Sequence, residues 1–412
     1  MLGTHTGAIP ANLRRLNERT IIGLLSRLGA ASRADLAKAA GMSQPTSGKI
    51  ICALQKLGIV QELNAAEIEA TFENAGNPAR MGRPATLMRL NPTISRFIAI
   101  QIEVAETSIT AVPLAVRQED VWSAVFPTGS TPREWQQRLR QTRRGIAVKG
   151  LWGIVASIPG IVNEKTGRVV FSPNLHWTEQ ADIPSLIREI WPLPIILNQE
   201  IRALALGHLI MHPHDTDFLL VDFDQGVGGA IVEGGRLYRN PLPLNGELGH
   251  TPVRDNQRRC GCGAIGCVET LLSRRGLVKS YAESGAPAPH AWQALMSHLE
   301  KNGVPEWLGK SLDAMGIIIA GSLNVLGLRQ VVVTGSLTEF PPAVLQRLSL
   351  AIQQGAMWAR FGEVTCKAAP RRRMAGLVAA GMDRLLFPVE DPDSLDTLPP
   401  SEPQLRTASK QP

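Results

Sequence analysis

Residues 260–269 read CGCGAIGCVE, and residues 245–250, a short way upstream, read NGELGH. Three of the chain's five cysteines therefore stand in one eight-residue stretch, with glycines between them. His250 precedes Cys260 by ten positions. One imidazole and three thiolates are the donor set of a closed tetrahedral zinc site, which leaves no position open for a reacting water. The spacing thus nominates His250, Cys260, Cys262 and Cys267 as ligands of a structural Zn2+. Gly261, Gly263 and Gly266 would let the backbone turn tightly around the ion. A thiol redox switch is the competing reading of the same cluster. Cys52 and Cys366 stand apart and are expected to be small core residues.

The chain has 412 residues, of which 44% are apolar, enough for two or three domains with sizeable cores. No apolar run approaches the ~18–20 residues of a membrane helix. The opening MLGTHTGAIPANLRRLNE lacks the basic-then-apolar order of a signal peptide. The expectation is a cytoplasmic protein without membrane insertion, with reduced thiols rather than disulfides. The net charge is +7 and is unevenly spread: Met1–Leu90 carries eleven Lys/Arg against six Asp/Glu. A small basic module on a near-neutral body points to nucleic acid, although a solvated basic face would carry the same charge.

Residues 12–28 place Leu13, Leu16, Ile21, Leu24, Leu25 and Leu28 on one helical stripe. In the following SRADLAKAAGMSQPTSGKIICALQKLGIV, Ser32 and Asp35 form a capping-box pattern, and Gly41 separates two short helices. Ser43 caps the second, Pro45 sits in its first turn, and Gly58 ends it. This is the pattern of a winged helix-turn-helix over 12–75, with wing and linker over 76–94. Gln44, Thr46, Ser47 and Lys49 would face a major groove of double-stranded DNA. Gly48 fits close approach to DNA or close helix packing. Arg80 and Arg83, around the extended Gly82-Arg83-Pro84, could enter a minor groove. A helical hairpin with no DNA role is the bland alternative.

Beyond Ile94 the pattern changes. FIAIQIEVAETSITAVPLAV alternates as paired strands do, and GLWGIVASIPG, PIILNQ, DFLLVDF and QVVVTGS read as buried strands with helices between several of them. That alternation predicts α/β layers with ligand groups at strand ends. His208, His212 and His214 cluster near a helix end, but MHPHD (211–215) reads as a surface turn rather than a metal site. The polar, Pro-rich 388–412 is expected to be disordered.

The stretches SIPGIVN, SPNLHW, LNQE, DQGVGGAI, NGELGH, CGCGAIGCVE and VVVTGSL, together with the N-terminal module and GRPATLMRLNP, resemble the ROK family (repressors, open reading frames, kinases). The resemblance runs from about Asn12 to Phe387 and is to the helix-turn-helix repressor branch, which includes the N-acetylglucosamine and xylose repressors. It implies a two-lobed, actin-like (ribonuclease H-like) α/β body. The first lobe would span 95–197 plus 370–387 and the second, with the zinc site, 198–369. It also implies a sugar or sugar-phosphate effector between the lobes. Positions matching Glu247, Glu269 and His250 bind sugar hydroxyls in the family, Asn174 and Asn198 match further contact positions, and Gly160 would let backbone approach the ring.

Kinases of that family need a D-x-G-G-T phosphate loop after the first strand. Here the segment is IQIEVAETSIT, with Glu106 where phosphates would sit. They also need an aspartate where this chain has Gln199, and an amide cannot act as a general base. The glycines 226, 228 and 229 retain part of a second phosphate loop. The reading is a non-enzymatic transcriptional regulator, most simply a repressor of sugar metabolism or transport genes, working as a homodimer or homotetramer on an operator. A ROK-type sugar kinase with a fused DNA-binding domain, and a regulator gated by a transporter-component protein partner, are the alternatives.

Overall fold

The structure, a computed structural model, describes residues 10–64, 67, 86–116, 119, 121–238, 246–285 and 291–386. Arg80, Arg83 and the 388–412 tail lie outside the described residues.

The chain opens with helix α1 (Pro10–Leu28), strand β1 (Ala31–Ser32), α2 (Arg33–Ala39), α3 (Gln44–Lys56), β2 (Val60–Glu62) and β3 (Leu87–Leu90). The caps form as expected. Ser32 Oγ accepts from Asp35 N at 3.1 Å and donates to Asp35 Oδ2 at 2.7 Å. Ser43 Oγ accepts from Thr46 N at 3.4 Å. Gly41 and Gly58 adopt φ of 64° and 66°, which makes both turns glycine positions. The three strands form an antiparallel sheet in the order β1-β3-β2. β3, within the stretch expected to form wing and linker, is thus the central strand of the head: Met88 and Leu90 are buried in one core with Ile51 and Leu54. The apolar stripe of α1 is also shorter than its leucines suggest. Ile21, Ile22, Leu24 and Leu25 are buried, whereas Leu13, Leu16 and Leu28 are exposed.

The first lobe is a sheet in the order β10-β7-β4-β5-β6. It comprises β4 (Ser95–Ile102), β5 (Glu106–Pro113), β6 (Ala124–Pro127), β7 (Gly153–Ile158) and β10 (Ile195–Gln199), with a small hairpin of β8 (Ile161–Asn163) and β9 (Arg168–Phe171). β4, β7 and β10 run parallel. Ile98, Ile100 and Ile102 face one side with α4 (Pro132–Thr142), α5 (Trp177–Gln180) and α6 (Ile183–Arg188). Phe97 and Ala99 face the other. β10 continues through Asn198 and Gln199, two residues past the lobe boundary expected from the sequence.

After α7 (Glu200–Met211) the second lobe repeats the scheme: β11 (Phe218–Phe223), β12 (Val227–Glu233), β13 (Arg236–Leu237), β14 (Gln330–Gly335) and β15 (Thr365–Ala368), in the order β13-β12-β11-β14-β15. Helices α8 (Glu269–Leu272), α9 (Arg274–Glu283), α10 (Ala291–Asn302), α11 (Glu306–Leu326) and α12 (Pro342–Gly355) cover one face around Leu219, Val221 and Val333. Ile201, Leu204 and Ala205 of α7 cover the other.

The chain then returns to the first lobe through α13 (Arg373–Gly381), which packs on α7, β4 and β7, in the 370–387 stretch that the family resemblance assigned to that lobe. α7 and α13 touch backbone to backbone. A side chain at Gly207 would come within 1.8 Å of Arg372 O, and one at Gly376 within 1.7 Å of Ala203 O. The head rests on this pair: Ile21, Ile22 and Leu25 share one core with Met374, Leu377 and Met382.

Candidate metal centre and interlobe cleft

The loop after Glu247 brings His250, Cys260, Cys262 and Cys267 together, with their ligand atoms all within 4.8 Å of one another. His250 Nδ1 lies 3.5 Å from Cys260 Sγ, and Cys262 Sγ lies 3.7 Å from Cys267 Sγ. A tetrahedral zinc site with ordinary Zn–S and Zn–N lengths would separate its ligands by about 3.8 Å (S to S) and 3.6 Å (S to N). The cage therefore fits such an ion. It is the one such cluster found among the described residues. Burial pushes the Cys260 thiol up to about 12, and the Cys267 thiol upward too. A divalent cation would reverse that by stabilising thiolates.

The loop's own bonds set the cage. Gly263 and Gly266 take φ of 93° and 90°. Cys260 N donates to Ala264 O at 2.8 Å and Gly266 N to Arg258 O at 3.0 Å. Gly261 is small for a different reason: a side chain there would meet Pro173 of the first lobe at 3.3 Å. Asn256, which the sequence did not single out, is buried and donates to Cys267 O at 3.0 Å and Thr270 Oγ1 at 2.9 Å. Its short amide side chain gave no motif to read.

Several of the nominated sugar residues gather at this centre. With Nδ1 turned toward Cys260, His250 Nε2 lies 3.8 Å from Glu247 Oε2. One nitrogen can thus serve a metal while the other faces the cleft, which sets the tautomer. Glu247 Oε1 accepts from Gln199 Nε2 at 3.3 Å, across the lobes. Burial raises the Glu247 pKa, with His250 and Gln199 acting against it. Glu269 is turned to the glycine turn, its Oε2 accepting from Val227 N at 3.0 Å, while its Oε1 lies 3.8 Å from Cys260 Sγ. Asn174 is exposed beside the metal loop. Asn198 is buried and donates to Ala156 O at 3.3 Å. Gly160 has φ of 101°, and a side chain there would meet Phe171 O at 2.4 Å, so the β8–β9 hairpin itself requires glycine.

In the head, Gln44, Thr46 and Lys49 are exposed on α3. Ser47 is not: it is fully buried on the stripe of Ile50, Ile51 and Leu54, which removes it from any groove contact. Cys52 is likewise exposed on α3 and not a core residue, because its position lies opposite that stripe. Cys366 is half-buried, and burial pushes its thiol up to about 12. His212 and His214 are exposed in the 211–215 turn, as expected, whereas His208, inside α7, is buried with Nε2 2.9 Å from Asp215 Oδ2.

Where the sequence placed Glu106 against phosphates, Glu106 is exposed, and Glu103 at the end of β4 faces the cleft instead. There it pairs with Arg373, and neighbouring Arg371 pairs with Asp222 and Asp224 of the second lobe. The Arg371–Arg373 run was legible only as a basic stretch ahead of a helix. Its burial was not.

A model of the ROK family matches residues 139–382, more than half of the chain. The chain belongs to the ROK family. It is 23% identical over 372 residues to the DNA-binding transcriptional dual regulator NagC of Escherichia coli (strain K12), a match covering 84% of this chain and 86% of that protein. It is 26% identical over 260 residues to the xylose repressor of Caldicellulosiruptor bescii, covering 58% of this chain and 65% of that repressor. Among solved structures, a ROK family transcriptional regulator, a homologue of the E. coli MLC protein, superposes with a TM-score of 0.66 at 19% identity, over 91% of this chain and 97% of that one. A ROK family glucokinase from Streptomyces griseus, in complex with glucose and AMPPNP, gives 0.54 at 21% identity over 69% and 97%. These likenesses establish the two-lobed ROK fold. No described helix is long and apolar enough to cross a membrane.

Proposed function

We propose that the protein is a sugar-responsive transcriptional repressor. Its head binds a double-stranded DNA operator, its lobes bind a sugar or sugar phosphate, and a structural zinc held by His250, Cys260, Cys262 and Cys267 fixes the loop that carries Glu247. The observation that carries this reading is the junction of head and body. A capped helix-turn-helix with an exposed, basic second helix shares one core with a ROK body. The curated relatives reported above are a transcriptional regulator and a repressor. Zinc ties the metal loop against Pro173 of the opposite lobe, so the ion would shape the pocket without touching a reaction. Two heads in a dimer or tetramer would read paired half-sites whose spacing follows lobe geometry.

The rival reading, a sugar kinase with a fused head, has less support. Gln199 stands where a base is needed, and paired arginines and carboxylates occupy the strand ends of the cleft.

Fluorescence anisotropy of the full chain on DNA from upstream of its own gene, repeated with sugars, sugar phosphates and ATP, tests the proposal. Salt-sensitive binding altered by one sugar is the expected result. ATP-dependent phosphorylation of a sugar would overturn it. Specific DNA binding that no small molecule alters would move the effector role to a protein partner.

A further inference from the structure

A single chain of ion pairs crosses the cleft. Glu103, just past β4 in the first lobe, accepts from Arg373 Nη1 at 2.9 Å. Arg373 Nη2 reaches Glu200 Oε1 at 2.5 Å, and Arg371 Nη2 reaches the same oxygen at 2.7 Å. Arg371 continues to Asp222 at 3.1 Å and Asp224 at 2.5 Å, both in or beside β11 of the second lobe. Arg373 is 5% exposed and Asp222 7%. Pairs this deep are costly to break singly, because the abandoned partner stays buried and charged.

The position of this clasp matters as much as its chemistry. Gln199, which bonds Glu247 in the candidate sugar pocket, is the residue immediately before Glu200. Consecutive side chains at the β10–α7 junction thus touch pocket and clasp. Arg371 lies just before α13 and Arg373 opens it, and the N–H groups of Met374 and Ala375 in its first turn donate to Glu119 at 2.7 and 3.1 Å. In the turn Met382–Leu386 that directly continues α13, Asp383 pairs with Arg19 of α1 at 2.5 Å. The Gly207 and Gly376 notches put α7 and α13 in backbone contact, so one cannot slide without displacing the other.

We infer that Arg371 and Arg373 are positioning residues that set the angle between the lobes, and that α13 is the rod that carries a change in that angle to the head. A ligand at Glu247 and Gln199 shifts the angle only if it binds one arrangement better than another, and the clasp supplies the discrete contacts that distinguish arrangements. This rests on the DNA-binding, ligand-responsive reading above.

Two measurements on the full chain test it. Hydrogen–deuterium exchange compares wild type with Arg373→Gln, Arg373→Lys and Arg19→Ala. Arg373→Gln is expected to raise exchange in α1 and α3 by about fivefold or more, with Arg373→Lys intermediate because the charge remains while the fork is lost. Arg19→Ala should loosen the head and leave β4 and β11 unchanged. Exchange that rises only at the cleft strands, with the head unaffected, overturns the rod. If Arg373→Gln does not fold, Glu103→Gln, which keeps Arg373 paired to Glu200, is read the same way. The second measurement uses a duplex selected from a random pool by the wild-type protein. Arg373→Gln should change its Kd by about fivefold or more, and adding Arg19→Ala should change it little further. An unchanged Kd, or fully additive effects, overturns the proposal. A wild-type protein that selects no duplex instead overturns the DNA-binding reading, and the exchange data then decide the rod alone.

Discussion

Gly48 stands in α3 of the head with nothing within 4 Å of the place a side chain would occupy. Packing therefore does not require glycine there, although glycine costs a helix interior about 1 kcal/mol relative to alanine. In the DNA-binding reading proposed above, close approach of a duplex would fill that space. Gly48→Ala should raise thermal stability while weakening duplex binding; tighter binding in anisotropy would refute the groove contact. Ser47 makes the opposite case. Its buried Oγ has no partner, so Ser47→Ala should leave DNA affinity within about twofold and stability unchanged or higher. At the metal centre, protein purified under reducing conditions should hold one zinc per chain. Cys262→Ser should lose it and lower Tm, and zinc near zero in the wild type would end the metal reading. Asp215 supplies a pH signature. Burial would raise its pKa, but Lys367 at 2.6 Å and His208 at 2.9 Å outweigh that and hold it at about 2. A depressed carboxyl stabilises the fold above its unfolded pKa and loses that contribution as pH falls through the folded one. The stability gap between wild type and Asp215→Asn, measured by denaturant unfolding, should therefore shrink from about pH 4 toward pH 2.

Among the elements, those announced by local chemistry formed where the sequence placed them. Ser32 and Ser43 cap α2 and α3, and the stretch read as paired strands forms the β4–β5 hairpin, with β4 buried on both faces. Elements decided by partners were less sharply drawn. The wing-and-linker stretch did not announce β3 as a central strand, because its neighbours β1 and β2 are remote in sequence. Three of the five α1 leucines lie in the open, because Leu13 and Leu16 precede the buried run that starts at Ile21 and Leu28 closes the helix beyond it. The α7–α13 contact is the sharpest test at this scale. Gly376→Ala would drive a methyl into Ala203 O, so it should cost at least the ~1–3 kcal/mol of ordinary overpacking. A Tm equal to wild type would show that the helices are further apart than described.

The whole molecule is two copies of one five-stranded scheme, with two helices between them and a head resting on those helices. That arrangement joins the SPN loop of one lobe to the metal loop of the other, and Gln199 to Glu247. It also explains why the candidate sugar residues were legible only as types. Glu247 and His250 converge on the cleft, whereas Asn198 and Glu269 are held by backbone groups of their own lobes. A phosphoryl-transfer assay belongs to this scale as well: with the clasp across the strand ends, Gln199→Asp alone should not create measurable sugar kinase activity, and turnover in that variant would show the cleft admits nucleotide.

What the sequence by itself determined is what short-range spacing can enforce. A histidine ten residues before three clustered thiols, with glycines where the chain must turn, closes a cage within a single loop, and capping residues start helices from their own first turn. The pairing of Glu103 and Glu200 with Asp222 and Asp224 through Arg371 and Arg373 was decided only by the tertiary structure. These charges are spread across 271 positions and read as ordinary surface residues. They become a clasp because two sheets bring their strand ends together in a space that water largely leaves, where each charge must find a partner.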